Sequence, residues 1–341
     1  MSSKERNSTH ELLRIFAMFL IVWYHIVSYY LYLISHDATY DNIIEATIPS
    51  LHIGVILFLL ITGYYGIKPS ISGILRLLII VMVYFLPLQF VDLALSDNIT
   101  NPRKVAHALL FLTNTPYWFV CTYIFLYLIS PILNTFIRNS SGKELLLMML
   151  VLGIISSYFG SMQGDPSLAD GKNVCNFTFI YLLGQCLHIY QPNLERLKKS
   201  TLLAVIIILN TLLITSMAYF QRETFIGEHI WQWSFPYCSP LLIINAVLVF
   251  LLFTKFHFHS AIINSIGAST FAVYLLHCHP VIHKYIIMRS VNYITTTSVP
   301  LLTFPLIALS ILFVCVGIDK ILSPVWKIGQ SFGKWIELKI R

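Results

Sequence analysis

Charge is what this chain most conspicuously lacks. Asp, Glu, Lys and Arg make up only 11% of its 341 residues, against about a quarter in a soluble globular domain. With 57% hydrophobic residues and a mean hydropathy of +0.76, the composition excludes a soluble enzyme and identifies a polytopic membrane protein. Other devices are missing too. There is no Gly-rich phosphate loop, no G-x-S-x-G elbow and no zinc signature, so the chemistry does not rest on them and no metal is expected. The six cysteines are scattered without a C-x-x-C pair, which argues against a disulfide framework and for small apolar packing residues. No internal repeat or low-complexity tract is present, which weakens the case for an inverted-repeat transporter.

What is present is a succession of apolar runs, each near the roughly 20 residues that cross a bilayer. They fall at about 12–34, 48–67, 74–95, 117–137, 145–159, 177–190, 202–220, 239–256, 266–288 and 301–318, with 145–159 and 177–190 the weakest. The expectation is an all-α polytopic membrane helix bundle with about ten transmembrane helices, in a single integral membrane domain over 1–341. The first run has spanning length and lacks a small-residue cleavage site, so it reads as a retained signal-anchor helix. Basic residues set the orientation. With the N-terminus inside, sixteen of the 22 Lys and Arg residues, Lys4 and Arg6 among them, are cytoplasmic. Only Arg103, Lys104, Lys172, Arg222, Lys284 and Arg289 fall outside. Both termini are then cytoplasmic and the span count is even. This bias accounts for the pI near 9.0, so no nucleic-acid partner is implied; membrane lipids are the surroundings. The longest polar connections, 37–47, 96–116, 160–176 and 221–238, all fall outside, and the tail from Asp319, with Trp326 and Trp335, reads as an interfacial amphipathic segment.

Within the first run stand Arg14 and, eleven residues on, His25. On a helix that is about 16 Å of rise and about three whole turns, so both side chains leave nearly the same face. Ionisable groups inside a bilayer are costly and default to function. A cation at one mouth and a neutral imidazole at depth suit an anion held at the surface and proton transfer further in. Each has a plainer reading as well: Arg14 as a snorkelling anchor, His25 as a satisfied structural histidine. His52 opens the second run as a cavity-lining or interfacial histidine. In Leu276-His277-Cys278-His279-Pro280, His277 reads as a cavity-lining polar group. His279 and His283 have the i, i+4 spacing of metal ligands, but Pro280 disturbs the turn and no acidic ligand is near. Lys68 and Arg76 flank the loop after the second run, as topology signals or as phosphate contacts. Trp231 and Trp233, in Glu228-His229-Ile230-Trp231-Gln232-Trp233, read as an interfacial belt or as a sugar-binding surface.

The stretch Glu11-Leu12-Leu13-Arg14 through Trp23-Tyr24-His25 resembles the opening of the acyltransferase 3 family of integral membrane acyltransferases, whose hallmark is an arginine, ten residues and a histidine. Further resemblances follow in the same order: Phe58-Leu59-Leu60-Ile61-Thr62-Gly63-Tyr64, Trp118-Phe119, Tyr127-Leu128-Ile129-Ser130-Pro131-Ile132-Leu133-Asn134, Phe179-Ile180-Tyr181-Leu182-Leu183-Gly184, and Ser269 through His277. The resemblance implies ten spans in a bacterial inner membrane. It also implies transfer of an acyl group, most often acetyl from cytoplasmic acetyl-CoA, to a hydroxyl of a surface glycan or its lipid-linked precursor. The chain is most similar to stand-alone polysaccharide O-acetyltransferases of the enterobacterial common antigen type. Two positions depart from the family pattern. Gly73 stands where many members carry the first arginine of an R-x-x-R pair, leaving Arg76, and Tyr123 stands where many carry a glutamate.

On this reading Arg14 orients CoA, with Arg76 and Lys68 at its phosphates, and the Arg14–His25 separation is comparable with an extended pantetheine arm. His25 is the general base, and His52, Tyr117, Trp118 and His277, with Trp231 and Trp233, face the acceptor. The rival is a transporter or flippase of a lipid-linked saccharide, which predicts paired intramembrane charges, repeats or Gly/Pro-broken helices. A glycan polymerase would carry a large arginine-bearing outer loop, and none is evident. A purely structural subunit leaves the Arg14–His25 pair unexplained.

Overall fold

The computed structural model describes residues 7–33, 38–96, 98–110, 117–220, 224–296 and 300–340, with side chains left undescribed at 38–40, 107, 169, 300 and 325–340. The readings placed on Lys4, Arg6, Arg222, Trp326 and Trp335 lie outside this set. Among the described residues the regular structure is entirely helical. The helices are α1 (Ser8–Leu33), α2 (Ala38–Ala46), α3 (Ile48–Tyr65), α4 (Ile71–Leu95), α5 (Pro102–Leu109), α6 (Trp118–Asn139), α7 (Gly142–Gly153), α8 (Val174–Ile189), α9 (Gln191–Leu194) and α10 (Lys199–Tyr219). They continue with α11 (Phe225–Ser234), α12 (Pro240–Thr254), α13 (Ala261–Ala268), α14 (Thr270–His277), α15 (Pro280–Ile282), α16 (Met288–Thr295) and α17 (Pro300–Ile340).

Seven helices among the described residues are long and apolar enough to cross a membrane, eight if one bent pair counts as a span, and Val174–Ile189 and Pro240–Thr254 are shorter apolar helices. The protein is therefore an all-α, multi-pass membrane protein. Two of the apolar runs differ from expectation. The weak run 145–159 is part of a longer rod, because α7 continues as a π-helix over Ile154–Met162, and the pair passes as one 21-residue span. The run 266–288 is not one rod: Ala261–His277 and Pro280–Thr295 meet at a 71° bend. Proline removes a backbone donor and blocks the preceding turn, so Pro280 starts a new helix rather than kinking the old one. The connections 37–47, 96–116 and 221–238 are not plain loops either, since they contain α2, α5 and α11.

Local sequence sets many of these ends. Ser70 accepts the Gly73 N–H at 3.0 Å to open α4, and Ser141 with Glu144 forms a reciprocal capping box on α7. Asn173, Thr224 and Ser239 cap α8, α11 and α12. Such a cap satisfies backbone donors that a helix start otherwise leaves open.

The helices gather into two compact units. The first comprises Met1–Ile67 and Ile129–Ala268, the second Lys68–Leu128 and Ser269–Arg341. In the first, α3 is the central helix: it is buried on nearly every side and packs against α1, α8 and α12. An all-round apolar sequence suits that place. Its crossing with α8 is backbone to backbone, since a Cβ on Gly184 would lie 2.9 Å from the Gly63 Cα. Small residues at such a crossing let helices approach closely in lipid. In the second unit α4 packs against α17 and α14. The Tyr84 hydroxyl there donates to the buried Asp319 carboxylate, which also accepts from the Ser269 hydroxyl at 2.5 Å.

Candidate active site

The first unit carries Arg14, His25 and His52; the second carries Lys68, Arg76, Tyr117, Trp118 and His277.

α1 begins earlier than its apolar run, and its first turn is polar yet buried: Ser8, Thr9, His10 and Glu11 are each at most 5% exposed. The side-chain oxygen of Asn7 accepts the Thr9 N–H at 3.0 Å. The Thr9 hydroxyl donates to the Phe256 carbonyl at 2.8 Å, and the Ser8 hydroxyl accepts the Ser260 N–H at 2.9 Å. Residues 256–260 are thereby tied across the helix start. Glu11 forms an ion pair with Arg14 one turn on. α13 makes room for that carboxylate at Gly267, where a Cβ would fall 2.8 Å from the Glu11 Cβ. Sequence reasoning gave Glu11 no role. The available signal was an acid three residues before the arginine, the spacing at which helix side chains meet.

Arg14 is therefore held by a buried carboxylate while its side chain keeps 30% exposure. It is an anchored cation with an accessible face rather than a freely snorkelling one. His25, three turns on, is half-buried, with Tyr24 at 5.1 Å and Tyr29 at 6.4 Å between ring centroids.

His52 is enclosed by protein. It is 4% exposed and boxed by Tyr24, Phe235 and Tyr237 at 4.3–4.8 Å. Its Nδ1 lies 2.7 Å from the Phe235 carbonyl oxygen. A carbonyl only accepts, so Nδ1 carries the hydrogen and Nε2 keeps its lone pair. That Nε2 meets no hydrogen-bond partner among the described residues. Trp231 corrects the reading as an outer sugar platform. It is 6% exposed and packs with Ala46 and Met217 in a small hydrophobic core, because its ring faces inward from α11. Trp233, two residues on, is exposed.

In the second unit Lys68 and Arg76 are exposed. Gly73 has a local reason for departing from arginine. The Tyr127 hydroxyl accepts the Ser70 N–H at 2.9 Å and donates to the Ser70 carbonyl at 3.0 Å, and a Cβ at Gly73 would run into it. Tyr117 is fully buried and its hydroxyl donates to the Leu275 carbonyl at 2.6 Å, so that hydroxyl ties two helices rather than facing an acceptor. Trp118 is half-buried. His277 is buried, with Nδ1 donating to the Val273 carbonyl at 2.6 Å and Nε2 3.3 Å from the Cys278 Sγ. His279 is a cap rather than a ligand: its Nδ1 accepts the Val281 N–H and its Nε2 donates to the Phe85 carbonyl, both at 3.2 Å.

What the first unit brings together is an anchored cation and an imidazole on one helix face, with a second, tautomer-fixed imidazole at α3. Such groups can bind an anion and accept a proton. The family model described as an acyltransferase domain, Acyl_transf_3, matches residues 10–320. No curated protein and no solved structure matches the chain. With nearly its whole length matched, the chain belongs to the acyltransferase family and is a membrane acyltransferase.

Proposed function

We propose that this member of the acyltransferase family moves an acetyl group from cytoplasmic acetyl-CoA to a hydroxyl of a cell-surface glycan or its lipid-linked precursor, as an O-acetyltransferase of the enterobacterial common antigen type. It does so from a ten-span placement in a bacterial inner membrane with both termini in the cytoplasm. The observation that carries the reading is the single face of α1. Arg14 is pinned there by the buried Glu11 carboxylate, and His25 lies about 16 Å further along the axis. An anchored guanidinium is suited to a donor phosphate or carbonyl because its fork is already oriented. A half-buried imidazole is suited to general-base work.

In the transfer, His25 takes the proton of the acceptor hydroxyl as its oxygen attacks the thioester carbonyl. The C–S bond then breaks, and the CoA thiolate leaves with that proton. Within the first unit, His52 faces the acceptor.

The test is release of free CoA from acetyl-CoA by purified protein in nanodiscs, with and without glycan extract, for wild type and His25→Ala. Glycan-stimulated release should fall by about a hundredfold or more in the variant. A well-inserted His25→Ala protein with full activity would sink the assignment. An inactive wild type that binds no CoA would return the case to saccharide transport.

A further inference from the structure

The start of α1 borders an open cavity of about 340 Å³ in the first unit, between residues 7–10, Tyr64, Gln191, Thr254 and residues 256–259. None of the residues assigned above lines it. Its wall combines two chemistries. One is anion-binding: the positive end of a 26-residue helix faces it, and His10 stands in its wall. His10 is 5% exposed, and its Nδ1 lies 2.5 Å from the Tyr65 hydroxyl. With the Tyr65 O–H donating to Nδ1, Nε2 carries the imidazole hydrogen. That atom is buried and has no acceptor among the described residues. His257 adds a second imidazole from the loop tied over the helix start.

The other chemistry is aromatic. The Tyr64 ring lies 5.1 Å from that of His10. Phe256 and Phe258 also line the cavity and are exposed, and the Lys199 ammonium sits 4.7 Å above the Phe256 ring. Flat faces beside an anion seat suit a phosphorylated base, since stacking is tolerant of which base is held. The volume lies in the range of small-ligand sites.

We propose that this cavity seats the phosphate-bearing nucleoside end of the acyl donor; the inference rests on the donor reading above. α1 gives it a register. On an ideal helix His10, Arg14 and His25 fall within about 60° of one another around the axis, at rises of about 0, 6 and 22 Å. One helix face then presents, in order, a seat for the nucleotide, an anchored cation and the base. Between Arg14 and His25 that face is packed, with Ala17 and Ile21 buried against α3 at Gly54, so the register supplies the order and spacing of the three groups and not an open groove.

The experiment measures binding of adenosine 3′,5′-bisphosphate, which lacks the acyl arm, to the full-length protein in nanodiscs. It compares wild type, His10→Phe and His257→Ala, with acetyl-CoA turnover followed in parallel. Wild type should bind the bisphosphate. His10→Phe should weaken it about tenfold and the exposed-loop variant His257→Ala about threefold, with KM for acetyl-CoA rising by similar factors and kcat kept. The proposal is overturned by an active wild type that does not bind the bisphosphate, or by variants that both bind as wild type does. Equal competition by inorganic phosphate or by vesicles of anionic phospholipid also overturns it, leaving a plain anion site. Bisphosphate binding without any acetyl-CoA turnover would keep the nucleotide seat and sink the donor reading.

Discussion

His279 and His52 are both buried imidazoles with one nitrogen donating to a backbone carbonyl, and they differ in the other nitrogen. In His279 it accepts the Val281 N–H; in His52 it meets no hydrogen-bond partner among the described residues. The first sits at the bend between α14 and α15. A new helix start needs an acceptor there, and Pro280 at its first position leaves Val281 as the first donor to satisfy. All of the polar capacity of His279 goes into the fold. His52 sits in an aromatic box on α3 with its tautomer fixed and its lone pair available. A closed polar group is explained by structure alone, whereas an open buried one costs stability unless something else engages it.

The largest effect expected from this contrast is on stability. His279→Ala removes the cap and strands the Val281 N–H, which should cost about 2–3 kcal/mol. It should be read as a lowered thermal midpoint in detergent and a lower yield of inserted protein, while any protein that does fold keeps its turnover per molecule. If His279→Ala were as stable as wild type but inactive, the capping account would fail and the histidine would belong to the chemistry.

His52→Phe should do the reverse. The substitution keeps the ring among Tyr24, Phe235 and Tyr237 and loses one hydrogen bond, a change of about 1 kcal/mol. Turnover should fall about tenfold or more, because an oriented acceptor of a proton or hydroxyl is gone. Unchanged turnover in a folded His52→Phe protein would make this residue packing, and the contrast with His279 would collapse.

How much of this was legible beforehand follows from where each signal lives. The apolar runs announced the helices because spanning length and hydropathy are local properties. The Arg14–His25 face was legible because helix geometry converts a spacing of eleven directly into a direction. The buried first turn of α1 was not, because Ser8, Thr9, His10 and Glu11 read as ordinary polar residues before an apolar run. Only long-range contacts, Thr9 with Phe256 and Ser8 with Ser260, bury them. The same holds for Trp231: an aromatic among polar residues reads as an interfacial platform, and only its packing on Ala46 and Met217 makes it core. The bend at Pro280 was half visible, since the proline marked a disturbance but the capping role of His279 depends on the Phe85 carbonyl from a distant helix.

Gly267→Ala carries the contrast to the first unit's ion pair at a smaller scale. The added methyl meets the Glu11 side chain, so the carboxylate must shift and Arg14 with it. Overpacking of this kind costs about 1 kcal/mol or somewhat more. Turnover should fall by about threefold to tenfold, since a displaced anchor leaves the guanidinium mobile. The double variant Gly267→Ala with Glu11→Ala should recover only part of the stability, because the residue 11 Cβ that the new methyl also meets is still there, and none of the turnover. Recovery of both would show that Glu11 does not position Arg14.

The smallest effect is expected where a closed polar pair can be opened so that only a half-buried oxygen, the Asn210 Oδ1, loses its donor. Asn210 on α10 and Asn245 on α12 exchange amide hydrogen bonds at 3.1 and 3.0 Å, and Asn245 is fully buried. Like His279, this pair is closed; unlike it, the surviving partner keeps another acceptor, because the Asn210 Nδ2 also donates to the Ile206 carbonyl at 2.8 Å. Asn245→Leu should therefore cost only about 1 kcal/mol, two interhelical hydrogen bonds at about 0.6 kcal/mol each in a membrane, with turnover unchanged. Thermal melts of Asn245→Leu beside His279→Ala test whether the cost follows what a substitution strands or the number of hydrogen bonds it removes. Each removes two, so equal losses would favour counting bonds, and a loss about half as large for Asn245→Leu would favour the orphaned Val281 N–H as the source of the difference.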